Sequence, residues 1–230
     1  MKTVIVNGQA HLGSTRMTAR ELAEKVGWET AEFFLPRDFG EFCTGCGTCF
    51  STDMARCPHY EKLRPIADAM DGADLIILAS PVYVFHATGQ MKAFLDHFGT
   101  RWIVHRPDER MFKKQAVCIA TAAGGGMKST IRDMADSLTF WGVPRIYRLG
   151  IGVRAIKPDE IPDKISAKIH KRTDAAAKRI IAGAGKKHAG MKGRMWFYLM
   201  RFAHKHFGRV EPDWTYWEEK GWHGKKRPWK

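Results

Sequence analysis

The sequence predicts an α/β fold, in which a doubly wound sheet of five parallel strands is covered by helices on both faces. Two observations carry this prediction. Short apolar runs alternate with helix-length amphipathic segments, and the run at 74–80, DLIILAS, has the continuous apolar character of a central strand buried on both sides. At 230 residues the chain is long enough for one such core plus an appendage. This length favours the strand order 2-1-3-4-5 with right-handed crossovers.

The individual elements follow from the same alternation along the chain. The five strands are predicted at 2–7, 30–35, 74–80, 115–122 and 145–151. The helices are predicted at 15–26, 59–70, 87–98, 127–141 and 158–183. In the first of them Met17, Leu22 and Val26 lie near one side, with charged residues elsewhere. Ligands of such sheets bind beyond the carboxyl ends of the strands, so we look for function in the loops that follow them.

The composition divides the chain into a domain and an extension. The stretch 182–187, AGAGKK, predicts a break. We therefore expect a domain at 1–185, with a cysteine-rich loop inserted at 42–58, and a C-terminal extension at 186–230. The apolar run at the N-terminus is too short for a signal peptide, and no stretch resembles a membrane span. These features lead us to expect a cytoplasmic protein.

The positive charge is concentrated in the extension. The chain carries 38 Lys and Arg against 24 Asp and Glu, a formal net charge of +14. Residues 186–230 alone hold twelve Lys and Arg against four Asp and Glu. The first 150 residues lack a basic stripe and a nucleic-acid motif, so we expect no nucleic-acid partner.

The loop after the first strand is suited to binding a phosphate group. It reads NGQAHLGST over 7–15. The hydroxyls of Ser14 and Thr15, with the amides at the start of a helix, can donate hydrogen bonds to a phosphate. No lysine follows Gly13, so the loop is not that of a nucleoside-triphosphate enzyme. In the alternative, Ser14 or Thr15 is an ordinary helix N-cap.

Two further strand-end loops are suited to a planar ligand. Pro81 ends the third strand, and Tyr83 and Phe85 follow as aromatic residues where a core no longer needs them. After the fourth strand the chain reads TAAGGG at 121–126, which allows backbone amides to approach a ligand closely. The alternative for these glycines is simple loop flexibility.

Taken together, the phosphate loop, the PVY…GQMKAFLD segment at 81–96 and the glycine loop at 124–126 resemble the NADPH-dependent FMN reductase family, which has the flavodoxin-like fold. The resemblance covers about residues 1–150. It implies an FMN site in which the phosphate is held by Gln9, Ser14 and Thr15. The flavin and ribityl chain would be lined by Pro81, Val82, Tyr83, Val84 and Phe85, and the isoalloxazine faced by Thr121, Gly124 and Gly125. Gln9 departs from the family, where serine is usual.

By this resemblance the protein is expected to be an FMN-dependent oxidoreductase. NADH or NADPH would reduce the flavin, and a small molecule or a redox protein would accept the electrons. No side-chain acid or base is required, so we name no catalytic residue. The resemblance also implies a homodimer or homotetramer. The rival hypotheses are an electron carrier without a substrate reaction of its own, and a cofactor-free interaction module.

Four of the five cysteines lie in one loop. Cys43, Cys46, Cys49 and Cys57 form a C-x2-C-x2-C-x7-C pattern followed by Pro58. Four thiolates suit an iron-sulfur cluster or zinc, and the compact triplet is closer to ferredoxin spacing than to paired zinc knuckles. In the alternative the thiols bind no metal. The segment also resembles the cysteine motif of iron-sulfur flavoproteins, which implies a 4Fe-4S cluster beside FMN. Cys118 lies within the fourth strand and is expected in the core.

The extension is rich in tryptophan and contains an amphipathic basic helix, predicted at 191–207. Five of the eight tryptophans lie there, too many for a freely solvated appendage. Packing on its own domain or on a second subunit is the favoured interpretation. A peripheral contact with an anionic membrane is the second, and calmodulin-like or nucleic-acid partners are the third.

Overall fold

A single sheet of five parallel strands organises the protein. The computed structural model describes residues 1–155, 157–186 and 190–230. The strand order is β2-β1-β3-β4-β5, so the predicted α/β fold and strand order are confirmed. The strands are β1 (Lys2–Asn7), β2 (Glu29–Phe34), β3 (Leu75–Pro81), β4 (Gln115–Ala122) and β5 (Arg145–Gly152). Each lies within one residue of its predicted bounds.

Helices connect the strands and continue into the extension. They are α1 (Ser14–Val26), α2 (Thr48–Ser51), α3 (Tyr60–Gly72), α4 (Gly89–Asp96), α5 (Met127–Phe140), α6 (Asp163–Ala182), α7 (Met191–His206) and α8 (Asp213–Glu219). Short 3-10 turns occupy Met54–Arg56, Gly99–Arg101, Glu109–Lys113 and Pro158–Glu160. The helices α2 and α8 were not predicted.

The prediction of one helix over 158–183 was wrong at its start. The segment Pro158–Glu160 is a separate 3-10 turn, and α6 begins only after Pro162. A proline disfavours helical backbone in the residue before it, and Ile161 is extended. The helix ends at Ala182, at the predicted break. Lys187, the last residue of that break, lies outside the described residues.

Alternate residues of each strand feed two separate cores. On one face of the sheet, Val4, Ile76 and Cys118 pack beneath α3, α4 and α5. On the other, Ile5 and Ile77 pack beneath α1 and α6. Successive side chains of a strand point to opposite faces, which is why both faces of the central strands are apolar. The expected burial of Cys118 is confirmed.

A third core joins the extension to the domain. It contains Ile103 and Phe112 from the domain together with Phe197, Trp217 and Trp222 from the extension, all buried. Phe197 and Trp217 stack with centroids 4.9 Å apart. Trp217 and Trp222 of the extension therefore pack on the chain's own domain. Of the helices in the described ranges, none has both the length and the apolar character needed to cross a membrane.

Candidate functional site

A hydrogen bond joins the first strand-end loop to the second where β1 ends. The Thr88 hydroxyl donates to the Gly8 carbonyl over 2.6 Å. A Cβ atom at Gly8 would lie 2.9 Å from that hydroxyl oxygen, so no side chain fits there. Thr88 also caps α4, since its side chain accepts from the amide of Met91. Sequence reasoning missed Thr88, although a threonine before a helix is a recognisable cap.

Hydroxyl groups from the first and third loops meet at the sheet edge. The Oγ of Ser14 lies 3.0 Å from Thr121 Oγ1, and Thr15 Oγ1 lies 2.6 Å from the same atom. Thus Thr121 contacts two predicted site residues that lie more than a hundred positions before it in the sequence. Gly13 is the N-cap of α1 and no side chain caps this helix. The alternative in which Ser14 or Thr15 caps α1 was therefore wrong, and both lie in its first turn.

Gln9 is buried beside these hydroxyls with part of its amide unpaired. Its Nε2 donates weakly to the His11 carbonyl over 3.4 Å, while Oε1 is buried without a hydrogen-bond partner in the described structure. A buried polar atom left unpaired is costly. An amide oxygen accepts hydrogen bonds, so a ligand hydroxyl at this loop would satisfy it. The unpaired acceptor fits a ligand that presents hydroxyl groups.

The second loop exposes apolar side chains to solvent. Tyr83 and His86 exchange two backbone hydrogen bonds of 3.0 Å around a two-residue turn. Val84 and Phe85 form that turn with φ of 47° and 66°, and their side chains are 93% and 67% exposed. Positive φ is strained for a β-branched residue. Asp133 supports the turn by accepting from the Ala87 amide at 3.0 Å and lying 3.1 Å from His86 Nδ1.

The third loop provides open backbone next to this turn. Gly124 and Gly125 are exposed, and a Cβ atom at Gly124 would meet nothing within 4 Å. Gly126 differs, since its φ is 92° and a Cβ there would lie 2.5 Å from Val82 Cγ1. The Val82 amide donates to the Thr121 carbonyl at 3.0 Å. The three loops therefore converge on one end of the sheet, with Pro81 and Val82 half-buried between them.

The cysteine loop lies between β2 and α3. Cys43 and Cys46 are exposed, whereas Cys49 and Cys57 are partly buried. Hydrogen bonding from Thr48 lowers the pKa of the Cys46 thiol. Burial, together with the charges of Cys57, Cys43 and Cys46, raises the pKa of Cys49. A cation bound by these cysteines would offset the repulsion between their thiolates.

Two histidines lie beside the fourth cysteine and were not predicted. The donor atoms of Cys57, His59 and His97 all lie within 4.8 Å of one another, the only such group of three in the described parts of the chain. His59 Nδ1 is 2.9 Å from His97 Nε2, and His97 Nδ1 donates to the Ala93 carbonyl over 2.8 Å. That bond leaves Nε2 of a neutral His97 as an acceptor or ligand atom. Burial lowers the pKa of His97, which favours this neutral form.

Arg106 of the domain links the cysteine loop to the extension. Arg106 donates to the carbonyl oxygens of Cys49 and Phe50 and to the carboxylate of Asp213, the first residue of α8. His105 Nδ1 is 2.7 Å from the other oxygen of Asp213. Asp213 and Arg106 each leave only 10% of their side chains exposed. The backbone of the cysteine loop is therefore tied to the extension.

A comparison with family models identifies the domain. Residues 1–149 match the model of the NADPH-dependent FMN reductases. The chain belongs to that family. The predicted resemblance over about residues 1–150 is confirmed, and with it the expectation of an oxidoreductase or electron carrier that uses FMN.

Individual relatives of this FMN reductase family member extend the comparison. An iron-sulfur flavoprotein of Archaeoglobus fulgidus is 28% identical over 207 residues, covering 86% of this chain and 87% of the relative. A solved flavone reductase superposes with a TM-score of 0.60 at 19% identity, covering 82% of this chain and 65% of that longer one. An FMN-dependent NADH-azoreductase of Bacillus anthracis, solved with FMN, gives 0.59 at 12% identity, with 79% and 100% covered. The two structural likenesses show the fold.

Proposed function

We propose that this protein is an FMN-dependent NAD(P)H oxidoreductase whose flavin site is the junction of the three strand-end loops. The contact of Ser14 and Thr15 with Thr121 carries the proposal, since it gathers hydroxyl groups at the start of α1 beside open glycine backbone. The FMN reductase family supports it. When bound, FMN would accept a hydride from a nicotinamide and pass electrons to an acceptor. The proposed FMN-binding residues are Gln9, Ser14, Thr15, Pro81, Val82, Tyr83, Val84, Phe85, Thr121, Gly124 and Gly125.

Each loop has a distinct binding role in this proposal. The hydroxyls of Ser14 and Thr15 and the first amides of α1 hold the phosphate. Tyr83 and Phe85 provide an apolar wall for the ring, while backbone amides of Gly124 and Gly125 donate to its polar edge. His86 is engaged with Asp133 and supports the turn, so no side-chain acid or base is assigned.

The phosphate role of Ser14 is testable by comparing FMN with riboflavin, which lacks the phosphate. Removing a hydrogen bond to a charged group costs about 1.5–3 kcal/mol, so S14A should weaken FMN binding roughly tenfold to a hundredfold. Riboflavin binding should stay unchanged. S166A, an exposed serine in the first turn of α6, is the matched control. Equal weakening of FMN and riboflavin by S14A would remove Ser14 from the phosphate site.

The reductase activity is testable by stopped-flow bleaching of bound FMN at 450 nm. We expect NADH or NADPH to reduce the flavin within seconds. No reduction by either nucleotide would favour the electron carrier, which takes electrons from protein partners. Colourless protein after soaking with FMN would favour the cofactor-free module. The acceptor is proposed to be a small molecule or a redox protein, in line with the flavone and azo reductases of the same fold.

We further propose a 4Fe-4S cluster on the cysteine loop. The position of four free cysteines in one loop supports it, as does the relative from Archaeoglobus fulgidus, an iron-sulfur flavoprotein. Such a cluster would allow one-electron exchange with FMN. Iron and acid-labile sulfide should be present in anaerobically purified protein and lost in C46S. C118S, which alters the buried cysteine of β4, should retain both. The proposed ligands are Cys43, Cys46, Cys49 and Cys57.

A single zinc ion is the second candidate for this loop. The grouping of Cys57 with His59 and His97 favours it, because one sulfur and two imidazole nitrogens are common zinc ligands. This site shares Cys57 with the proposed cluster, so the two are mutually exclusive. Zinc without iron or sulfide in the purified protein, lost in H97N but retained in C46S, would favour the mononuclear site over the cluster.

A homodimer or homotetramer remains our proposal for the assembly. The exposed side chains of Tyr83, Val84 and Phe85 support it, since a second copy would cover apolar surface next to the flavin. Sedimentation should give a mass of two or four chains. A monomer at all concentrations would contradict this proposal.

A further inference from the structure

Helix α7 is apolar on two opposite faces, and the described parts of the chain cover only one of them. Its inner face inserts Phe197, fully buried, between Trp217 and Trp222. Its outer face presents five large apolar side chains to solvent, each between 47% and 89% exposed. We call these residues the outer stripe: Met191, Met195, Tyr198, Leu199 and Phe202.

The spacing of the outer stripe makes it a continuous surface. Met191, Met195, Tyr198 and Phe202 stand at i, i+4, i+7 and i+11, so they align along one side of the helix. Eleven residues of helix extend about 16 Å. Large exposed apolar patches on a folded protein mark interaction sites. The packing of α7 on the domain explains why its inner face is apolar, but it does not explain why its outer face is apolar as well.

Positive charge borders this stripe. Over its sixteen residues α7 contains no acidic residue, while it carries four Lys and Arg. Arg227 adds another cation at the stripe, since its Nε donates to the Tyr198 hydroxyl over 3.3 Å. The acidic residue that follows α7 most closely, Glu211, is paired with Arg209 at 2.8 Å. The basic residues of the helix are Lys192, Arg194 and Lys205, together with Arg201, whose guanidinium donates to the carbonyl oxygens of Trp222, His223 and Gly224.

We propose that the outer stripe binds the surface of an anionic lipid bilayer, with α7 lying in the plane of the headgroups. Apolar side chains of this kind enter the boundary of the acyl region, while flanking Lys and Arg pair with anionic headgroups. A second copy of this chain is the less suitable partner. Two copies joined symmetrically through this stripe would bring the same cations of α7 together.

Flotation of the full-length, FMN-loaded protein with lipid vesicles tests this proposal. Vesicles of phosphatidylcholine with 30% phosphatidylserine are compared with vesicles of phosphatidylcholine alone. We expect flotation with the anionic vesicles and at least about tenfold weaker binding to the neutral ones, with binding to the anionic vesicles falling as salt is raised. Absence of binding to anionic vesicles, or equal binding to both compositions, would overturn the proposal.

Matched variants distinguish binding through the outer stripe from nonspecific binding through other exposed apolar residues. L199E and F202E change exposed side chains, and each should lower binding to anionic vesicles at least about tenfold. I181E is the control, because Ile181 on α6 is 47% exposed, as Leu199 is. Charge reversal by K192E with K205E should reduce binding to anionic vesicles and leave the weak binding to neutral ones unchanged. Circular dichroism and the flavin spectrum establish that each variant is folded.

Self-association is the competing outcome and is measured on the same proteins. Sedimentation velocity without lipid reports whether L199E and F202E change the oligomeric state. If the outer stripe binds lipid, these variants should have the same oligomeric state as the parent protein. Conversion of an oligomer to a smaller species by L199E and F202E, with no loss of vesicle binding, would assign the stripe to a contact between copies and overturn the lipid proposal.

Discussion

At the scale of single residues, Gly126 shows why a glycine is required in the third loop. Its φ of 92° is unfavourable for other residues, and a Cβ atom would lie 2.5 Å from Val82 Cγ1 and 3.0 Å from Phe85 Cα. We predict that G126A lowers the free energy of unfolding by about 1–3 kcal/mol, because it combines backbone strain with a clash against the second loop. Urea unfolding of the cofactor-free protein measures this loss.

The neighbouring Gly124 provides the control for this substitution. A Cβ atom there meets no atom within 4 Å and its φ is not in the left-handed region. G124A should therefore unfold at the same urea concentration as the parent. Equal loss of stability in G124A and G126A would contradict the argument from close contact between the loops.

At Val84 the situation is the reverse of that at Gly126, because here the native residue itself is unfavourable for its backbone conformation. Its side chain is 93% exposed and its φ is 47°, so its side chain has little packing to lose. Asparagine tolerates this backbone better than a β-branched residue. V84N should raise the melting temperature of the cofactor-free protein by roughly 2–4 °C, the equivalent of about 1 kcal/mol for a chain of this size.

A matched substitution at another exposed valine tests that reasoning. Val210 is 66% exposed and does not have a positive φ. V210N should leave the melting temperature unchanged within about 1 °C. A lower melting temperature in V84N would contradict this prediction. It would mean that contacts of the Val84 side chain contribute more to stability than the relief of backbone strain.

At the scale of elements, the central strands β1, β3 and β4 were predicted to within one residue because buried parallel strands contain continuous apolar runs. The start of α6 was predicted five residues early, since periodicity alone does not distinguish a 3-10 turn from the first turn of a helix. The seven-residue α8 was not predicted, because its position depends on packing against Ile103 and Phe112.

The most consequential contact between elements is the one from Asp213 of α8 through Arg106 to the Cys49 carbonyl. We predict that D213N lowers the free energy of unfolding by about 3 kcal/mol, because it leaves a nearly buried guanidinium without its counter-charge. The backbone of the cysteine loop should also become less ordered. Urea unfolding measures the first effect, and iron and sulfide per chain measure the second if the proposed cluster is bound.

Glu219 of the same helix supplies the control for D213N. It is exposed, so E219Q should change neither the unfolding midpoint nor the metal content. Unchanged stability in D213N would show that the buried ion pair is dispensable. A loss of stability with full retention of iron would show that the cysteine loop is held independently of the extension.

At the scale of the whole molecule, the location of the candidate site was more predictable than its contacts. Parallel strands place their carboxyl ends at one edge, so the three loops had to meet there. The pairing of Thr121 with Ser14 and Thr15 also fits that geometry. The grouping of Cys57 with His59 and His97 was not predictable, because it depends on how α4 packs against the cysteine loop rather than on a spacing within one segment.

The third core predicts that domain and extension unfold as one unit. It is built from Ile103 and Phe112 of the domain and from Phe197, Trp217 and Trp222 of the extension, so neither part keeps this core without the other. In urea, tryptophan fluorescence reports mainly on the extension, which holds five of the eight tryptophans, while far-ultraviolet circular dichroism reports on the whole chain. The two transitions of the cofactor-free protein should coincide.

Substitution on each side of the boundary completes this test. W217A removes a fully buried ring from the third core and should cost about 3–5 kcal/mol, shifting both transitions together to lower urea. W28A, at the edge of the core formed with α1 and α6, should also shift both together, by a smaller amount because Trp28 is only partly buried. A fluorescence transition of W217A that precedes the circular dichroism transition would mean that the extension unfolds separately. The boundary near residue 185 would then be a boundary of stability as well as of composition.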